Sequence, residues 1–374
     1  MADFVQTQNL YTLSDLCFDE AQVDLQNYHT STIVMVIPCS VHHLKNYLVL
    51  DLLNKLKLIT YLTEIVVVIN GIPSAATEQV LALKALDARI TILLESGQDT
   101  HLLNDYLAIK SKPLSGKGFA LWLGYFYILQ KYEKKVLIAT LDADLKNFTP
   151  TLLLKLFFPL VHCAAEFNKG YYVRYSQNKL DGRLTRLLLF PLFQAMRRQT
   201  DLTGLLDFLI EFRYPLSGEM AISSDLLRNL NLRTAWSYDL SLLTQIYEYA
   251  TIPSIYQTEI SNNHQHQHRD SASDGDHGLQ IVAVDIIDYL CGLYPFDFKQ
   301  LATDYHSIAS RFINQYQSLA AFNGLNFSVE AEKELARRLG LLIHDGNCGS
   351  VTLPKISQVS DQAGLRRFIT DLII

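Results

Sequence analysis

Four short runs of β-branched and aliphatic residues constrain this chain more than any other feature. They are Ile33-Val34-Met35-Val36-Ile37, Ile65-Val66-Val67-Val68-Ile69, Ile90-Thr91-Ile92-Leu93-Leu94 and Val136-Leu137-Ile138-Ala139-Thr140. None alternates strictly between apolar and polar residues, so each reads as a strand buried on both faces. Between them, Leu44 to Leu58, Ala75 to Leu86 and Phe119 to Tyr132 carry helical spacing. Strands alternating with helices predict an α/β fold on a parallel sheet with right-handed crossovers. Pro38 is expected to stop the first strand and Asn70-Gly71 the second. Sheets of this kind bind ligands at the carboxyl ends of their strands, which directs attention to Pro38-Cys39-Ser40, Asn70-Gly71 and Asp142-Ala143-Asp144.

From about residue 145 the pattern turns mainly helical, with strands expected at Tyr171 to Arg174 and at Ile255 to Ile260. Ser261 to Gly278 is polar and reads as a loop. Leu279 to Leu293, Asp304 to Leu319 and Val329 to Ile343 follow as amphipathic helices. Composition excludes several classes. A net charge of −6 over 374 residues gives no general attraction to nucleic acid or an anionic membrane, so any phosphate site must be built locally. Five scattered cysteines without a C-x-x-C suggest a reducing compartment. Met1 to Gln6 lacks the pattern of a signal peptide, and no apolar run reaches the roughly 20 residues of a membrane span. The expected location is cytoplasmic.

Asp142-Ala143-Asp144 stands directly behind the strand Val136 to Leu141, so its carboxylates project into the expected crevice. Mg²⁺ and Mn²⁺ prefer such oxygen donors. Gly116-Lys117-Gly118 opens the helix leading to this strand, where backbone close to a ligand and a cation at a helix N-terminus suit a phosphate. Lys117 is followed by Gly118, so the unit is not a P-loop. His264, His266 and His268 recur at every second position, and an imidazole there would complete a metal site begun by Asp144. Gly182-Arg183-Leu184-Thr185 opens a further helix, where Arg183 and Thr185 suit an anionic group. Pro215-Leu216-Ser217-Gly218-Glu219 reads as a tight turn with a carboxylate, and Asp239 as a site acid or a helix cap. No G-x-G-x-x-G follows the first strand, which argues against a dinucleotide-dependent dehydrogenase.

In this order the segments resemble the glucosyl-3-phosphoglycerate synthases, retaining transferases with a GT-A-type fold that make precursors of the compatible solute glucosylglycerate. The similarity runs from about Ile33 to Leu293 and includes Lys169-Gly170-Tyr171-Tyr172 and Pro191-Leu192. It implies UDP-glucose as donor, 3-phosphoglycerate as acceptor, and Mg²⁺ (or Mn²⁺) as cofactor. It further implies Asp144 and His264 as metal ligands, with Pro38, Cys39, Ser40, Asn70, Lys117 and Asp142 toward the donor. Gly182, Arg183, Thr185 and His266 fall toward the acceptor, His266 being also the alternative metal ligand. Leu216 offers its backbone near the sugar, and Asp239 stands where the family has a glutamate. Mannosylglycerate synthases share Gly-Lys-Gly, Asp-Ala-Asp and the Gly-Glu turn and are the nearest rival. Val41-His42 replaces the family's Asn-Glu, and Ile69-Asn70 its polar pair, so a nucleotide-sugar-binding protein without turnover stays in view. The resulting division is an extension (1–30), a nucleotide-sugar-binding α/β region (31–150), an acceptor-binding region (151–278) and a helical region (279–374). Tyr294, Phe296, Phe298, Tyr305, Phe312 and Tyr316 fit either a core or a homodimer interface.

Overall fold

The computed structural model describes residues 9–44, 47–70, 77–95, 116–200, 203–263, 275–344 and 363–373. The chain divides into two compact units. The first comprises Met1–Tyr171, Ser217–Asn262 and Val351–Ile374, and the second Tyr172–Leu216 and Asn263–Ser350. Neither is a continuous stretch.

The first unit is built on a sheet whose strands are β1 (Tyr11–Leu13), β2 (Ile33–Ser40), β3 (Glu64–Asn70), β4 (Ile90–Glu95), β5 (Leu137–Thr140), β6 (Phe167–Tyr172), β9 (Met220–Ser223) and β10 (Ile255–Ser261). Between β6 and β9 the chain forms the short strands β7 (Tyr175–Ser176) and β8 (Lys179–Leu180) of the second unit. The order across the large sheet is β1-β10-β6-β9-β5-β2-β3-β4. The four expected strands are present, and β2 pairs in parallel with β3 and β5, as β3 does with β4. The expectation of a parallel sheet needs correction, because β9 runs antiparallel to both β5 and β6. β9 is four residues long and β1 three, too short for periodicity to register.

Pro38 also departs from expectation, since β2 continues through it to Ser40 with Pro38 opposite Val68. The reason lies in the ladder. Thr32 and Val36 present their carbonyls to Leu137 and Leu141 on the β5 side, so alternation turns Pro38 to that side too. β5 pairs with β2 only as far as Val36, and the missing proline N–H therefore costs no ladder bond. The strand expected at Tyr171 to Arg174 begins earlier, at Phe167, and ends at Tyr172.

One buried acid ties this sheet to its covering helix. Glu64, 3% exposed, accepts hydrogen bonds from Thr91 (2.5 Å), Tyr127 (2.8 Å), Lys131 (2.8 Å) and Tyr132 (2.7 Å). Burial opposes its charge, yet these donors together hold its carboxyl below the ordinary glutamate value. A depressed folded-state value means the stabilisation is present above the unfolded value, about 4.3, and is lost as pH falls through the folded one. Glu64→Gln is expected to cost on the order of 2 kcal/mol at pH 7 and to flatten the acid limb of the stability profile. Denaturant midpoints measured from pH 3 to 7 check this, and equal slopes in both proteins would contradict it.

In the second unit, the segment Leu184–Leu189 runs into the helix Phe190–Met196. The helices Gly275–Cys291, Phe298–Phe322 and Val329–His344 correspond to the three expected amphipathic helices. Tyr305 is fully buried and donates to the Leu187 carbonyl at 2.8 Å, so it belongs to the core. Tyr294, Phe296, Phe298, Phe312 and Tyr316 are half-buried. No helix among the described residues is long and apolar enough to cross a membrane.

Candidate active site

At the carboxyl end of β5 the chain leaves the sheet as Leu141-Asp142-Ala143-Asp144-Leu145. Leu141, Ala143 and Leu145 are buried and Asp142 and Asp144 half-buried. This alternation anchors the segment through its apolar residues and turns its two acids outward. Lys117, first residue of the helix Lys117–Lys131, places its Nζ 2.6 Å from Asp142 Oδ1. Burial disfavours charge on Lys117, but Asp142, Asp239 and Glu219 outweigh it and hold the ammonium above the ordinary lysine range.

Glycine makes this pairing feasible. A side chain at Gly218 would begin 2.6 Å from both Asp142 carboxylate oxygens and from Lys117 Nζ, so the ion pair lies directly over Gly218. The turn around it is fixed at several points. Thr140 Oγ1 donates to the Gly218 carbonyl at 2.6 Å, Gly170 N–H to the Glu219 carbonyl at 2.9 Å, and Ser217 Oγ to the Gly170 carbonyl at 2.6 Å. One backbone bond and two bonds from buried hydroxyls to backbone carbonyls thus hold the turn against β5 and β6.

Asp239 is the second residue of the helix Tyr238–Tyr249 and is 7% exposed. It accepts from Lys169 Nζ at 3.0 Å, so its carboxylate serves an ion pair, and the helix has no side-chain cap. The neighbouring Tyr238 hydroxyl lies 2.8 Å from that of Tyr125, joining this helix to the one that carries Lys117.

The strand-end residues expected toward a donor behave differently from one another. Asn70 donates from Nδ2 to the Gly116 carbonyl at 3.3 Å. Its Oδ1 and the Ser40 hydroxyl are buried without a hydrogen-bond partner among the described residues, which leaves polar groups for a ligand to satisfy. Pro38 is buried within β2. Cys39 is also buried, its thiol pushed up to about 12 by burial, so only its backbone can serve a ligand.

Asp142 and Asp144 supply the hard oxygen donors that Mg²⁺ or Mn²⁺ takes, so the residues present fit a divalent cation. Among the described residues no group of three His, Cys, Asp or Glu forms a complete site. His264, His266 and His268 lie outside the described residues.

In the second unit, Gly182 takes a φ of 70°, which glycine alone adopts freely, and its carbonyl accepts from Arg186 N–H at 3.2 Å. Arg183 lines a cavity of about 380 Å³ together with Lys179, Arg186 and Glu332. Its Nε stands 3.5 Å from Glu332 Oε1, while the buried Arg186 binds both oxygens of the same carboxylate. Thr185 is 5% exposed, and its hydroxyl is buried without a hydrogen-bond partner among the described residues. Leu216 is half-buried and directly precedes the Ser217-Gly218-Glu219 turn.

Sequence reasoning gave no role to Lys169, and saw Glu219 only as a carboxylate in a turn. Both are buried in the structure, at 1% and 0% exposure. The signal for Lys169 was a cation in the middle of the buried strand Phe167–Tyr172.

No protein-family model matches the chain. A curated glucosyl-3-phosphoglycerate synthase of Persephonella marina is 28% identical over 351 residues, covering 89% of this chain and 87% of the relative. One of Methanococcoides burtonii is 25% identical over 363 residues, covering 88% and 85%. Among solved structures, glucosyl-3-phosphoglycerate synthase of Mycobacterium tuberculosis with Mn²⁺, UDP-glucose and phosphoglyceric acid aligns with a TM-score of 0.56 at 21% identity, over 76% of this chain and 87% of that one. The same enzyme with Mn²⁺, UDP and glucosyl-3-phosphoglycerate aligns with a TM-score of 0.54. The resemblance seen in the motifs thus extends over nearly nine tenths of the chain, and the GT-A-type α/β fold it implied is the fold observed.

Proposed function

We propose that this chain is a metal-dependent retaining glucosyltransferase that moves glucose from UDP-glucose to 3-phosphoglycerate, giving glucosyl-3-phosphoglycerate. The observation that carries the reading is the Lys117–Asp142 ion pair over Gly218, set at a strand end beside the second acid of Asp142-Ala143-Asp144. That arrangement offers carboxylates, a cation and close backbone in one place, which is what a nucleotide diphosphate and its metal require.

Asp144, with His264 or His266, would hold Mg²⁺ or Mn²⁺, and the cation when bound neutralises charge developing on the leaving diphosphate. Lys117 adds a fixed positive charge toward the same phosphates, and Asp142 keeps the Lys117 ammonium in place. Ser40 and Asn70 have buried polar atoms to offer the nucleoside. Asp239 and the backbone at Leu216 are assigned to the sugar. For retention, the acceptor hydroxyl attacks the anomeric carbon on the face from which the diphosphate departs, and its proton passes to a diphosphate oxygen. The protein then acts mainly by positioning and charge stabilisation.

Arg183 and Thr185 are assigned to the acceptor's phosphate. Hydrogen bonds to charged groups contribute about 1.5–3 kcal/mol, so Arg183→Ala is expected to raise the KM for 3-phosphoglycerate by about 10- to 100-fold with the donor KM little changed. An unchanged acceptor KM would remove Arg183 from the site. A cytoplasmic location and a homodimer complete the reading, and sedimentation of the purified chain tests the latter.

The assignment is tested by incubating the protein and Mg²⁺ with UDP-, GDP- and ADP-sugars against 3-phosphoglycerate or glycerate, reading product mass. UDP-glucose with 3-phosphoglycerate is expected to give product. GDP-mannose with glycerate as the productive pair would move the chain to the mannosylglycerate type, and donor binding without transfer would make it a binding protein.

A further inference from the structure

Lys169 is the least expected charge in the first unit. It occupies the middle of β6, every residue of which is buried, and its own exposure is 1%. Burying an ammonium is costly unless it is paired, and its partner is Asp239, 70 residues away on another element, at 3.0 Å. A buried ion pair is a poor means of stabilising a fold, because well-packed apolar residues of similar volume often serve as well or better. The pair therefore calls for a reason other than stability.

Its surroundings supply one. Gly170 is tied to the Ser217-Gly218-Glu219 turn beneath the Lys117–Asp142 pair by its N–H, which donates to the Glu219 carbonyl, and by its carbonyl, which accepts from Ser217 Oγ. A side chain at Gly170 would begin 2.7 Å from Ile260 Cδ1 and 3.1 Å from the Glu219 carbonyl, so β6 lies tight against this turn. On its other side, Asp239 belongs to the helix joined through Tyr238 to Tyr125 on the Lys117 helix. The Asp239 carboxylate is thus held by a charge rooted in the sheet, within a frame shared with Lys117.

We propose that Lys169 is a positioning residue of the transfer site, whose ammonium fixes the Asp239 carboxylate in the single orientation the donor sugar meets. The assignment rests on the proposed function, since it is that reading which places a sugar beside Asp239. Lys169 itself touches no reacting atom and acts only through Asp239.

A double-mutant cycle tests this with the unsubstituted protein, Lys169→Met, Asp239→Asn and the double variant. Misplacing a group by about 1 Å costs on the order of 100-fold, so Lys169→Met is expected to lower kcat by roughly 10- to 100-fold with the acceptor KM unchanged. The double variant is expected to match Asp239→Asn alone, because Lys169 has nothing left to position. Multiplied losses in the double variant would overturn the assignment. If Lys169→Met fails to fold, the double variant, which removes both charges, still gives the decisive comparison with Asp239→Asn. The same proteins are titrated with UDP-glucose and Mg²⁺ by calorimetry. Donor binding without turnover by the unsubstituted protein would count against the proposed function alone, and the cycle is then read in donor Kd, where equal values for the double variant and Asp239→Asn support the assignment and multiplied losses overturn it.

Discussion

Asp144→Ala is expected to lower kcat by about 100- to 1,000-fold while leaving the fold intact, the loss typical when one preorganised charge partner is removed from an active site. Its neighbours Ala143 and Leu145 anchor the segment through buried apolar contacts, whereas Asp144 is half-buried and turned away from that anchorage. The loss of activity should therefore far exceed any loss of stability. Excess Mn²⁺ is expected to recover little, because the missing group is a donor oxygen. Circular dichroism, a denaturation midpoint and initial rates check the three parts. A well-folded Asp144→Ala protein with normal activity would sink the metal site.

The largest stability effect is expected at Gly118. A Cβ there would lie 2.1 Å from the Arg233 carbonyl oxygen and 3.0 Å from the Thr234 carbonyl, both backbone atoms that cannot swing aside. Phe119 N–H donates to the same Thr234 carbonyl at 3.1 Å, which fixes the approach of the helix N-terminus. Gly116, at φ 99°, makes the turn leading into it. Overpacking of this kind costs about 1–3 kcal/mol or more, and here relief would come from sliding the helix that carries Lys117. Gly118→Ala should thus lose about 3 kcal/mol of stability and at least ~10-fold in donor affinity. An unchanged denaturation midpoint with unchanged donor affinity would show that the close approach is not required.

These two sites differ in how far the sequence revealed them. Asp142 and Asp144 were legible because the strand before them is apolar and ends at the acids, so position and chemistry pointed together. Gly116-Lys117-Gly118 was legible as a close approach of backbone, though toward a ligand; the observed neighbour of Gly118 is the chain's own 233–234 segment. Lys169 and Asp239 could not be paired from sequence, because 70 residues separate them and nothing in either local pattern names a partner. β9 was missed for a related reason: four residues carry little periodicity, and its antiparallel place between β5 and β6 is decided by tertiary pairing. Pro38 misled because the rule against proline in a central strand assumes neighbours along its whole length, and β2 outlasts β5.

The most direct test of metal-dependent, retaining transfer is a proton NMR time course of the purified chain with UDP-glucose and 3-phosphoglycerate, with Mg²⁺ and then with EDTA. The predicted result is an α-anomeric signal of glucosyl-3-phosphoglycerate that grows with Mg²⁺ and stops on chelation. A β-anomeric product, or transfer that continues unchanged in EDTA, would contradict it.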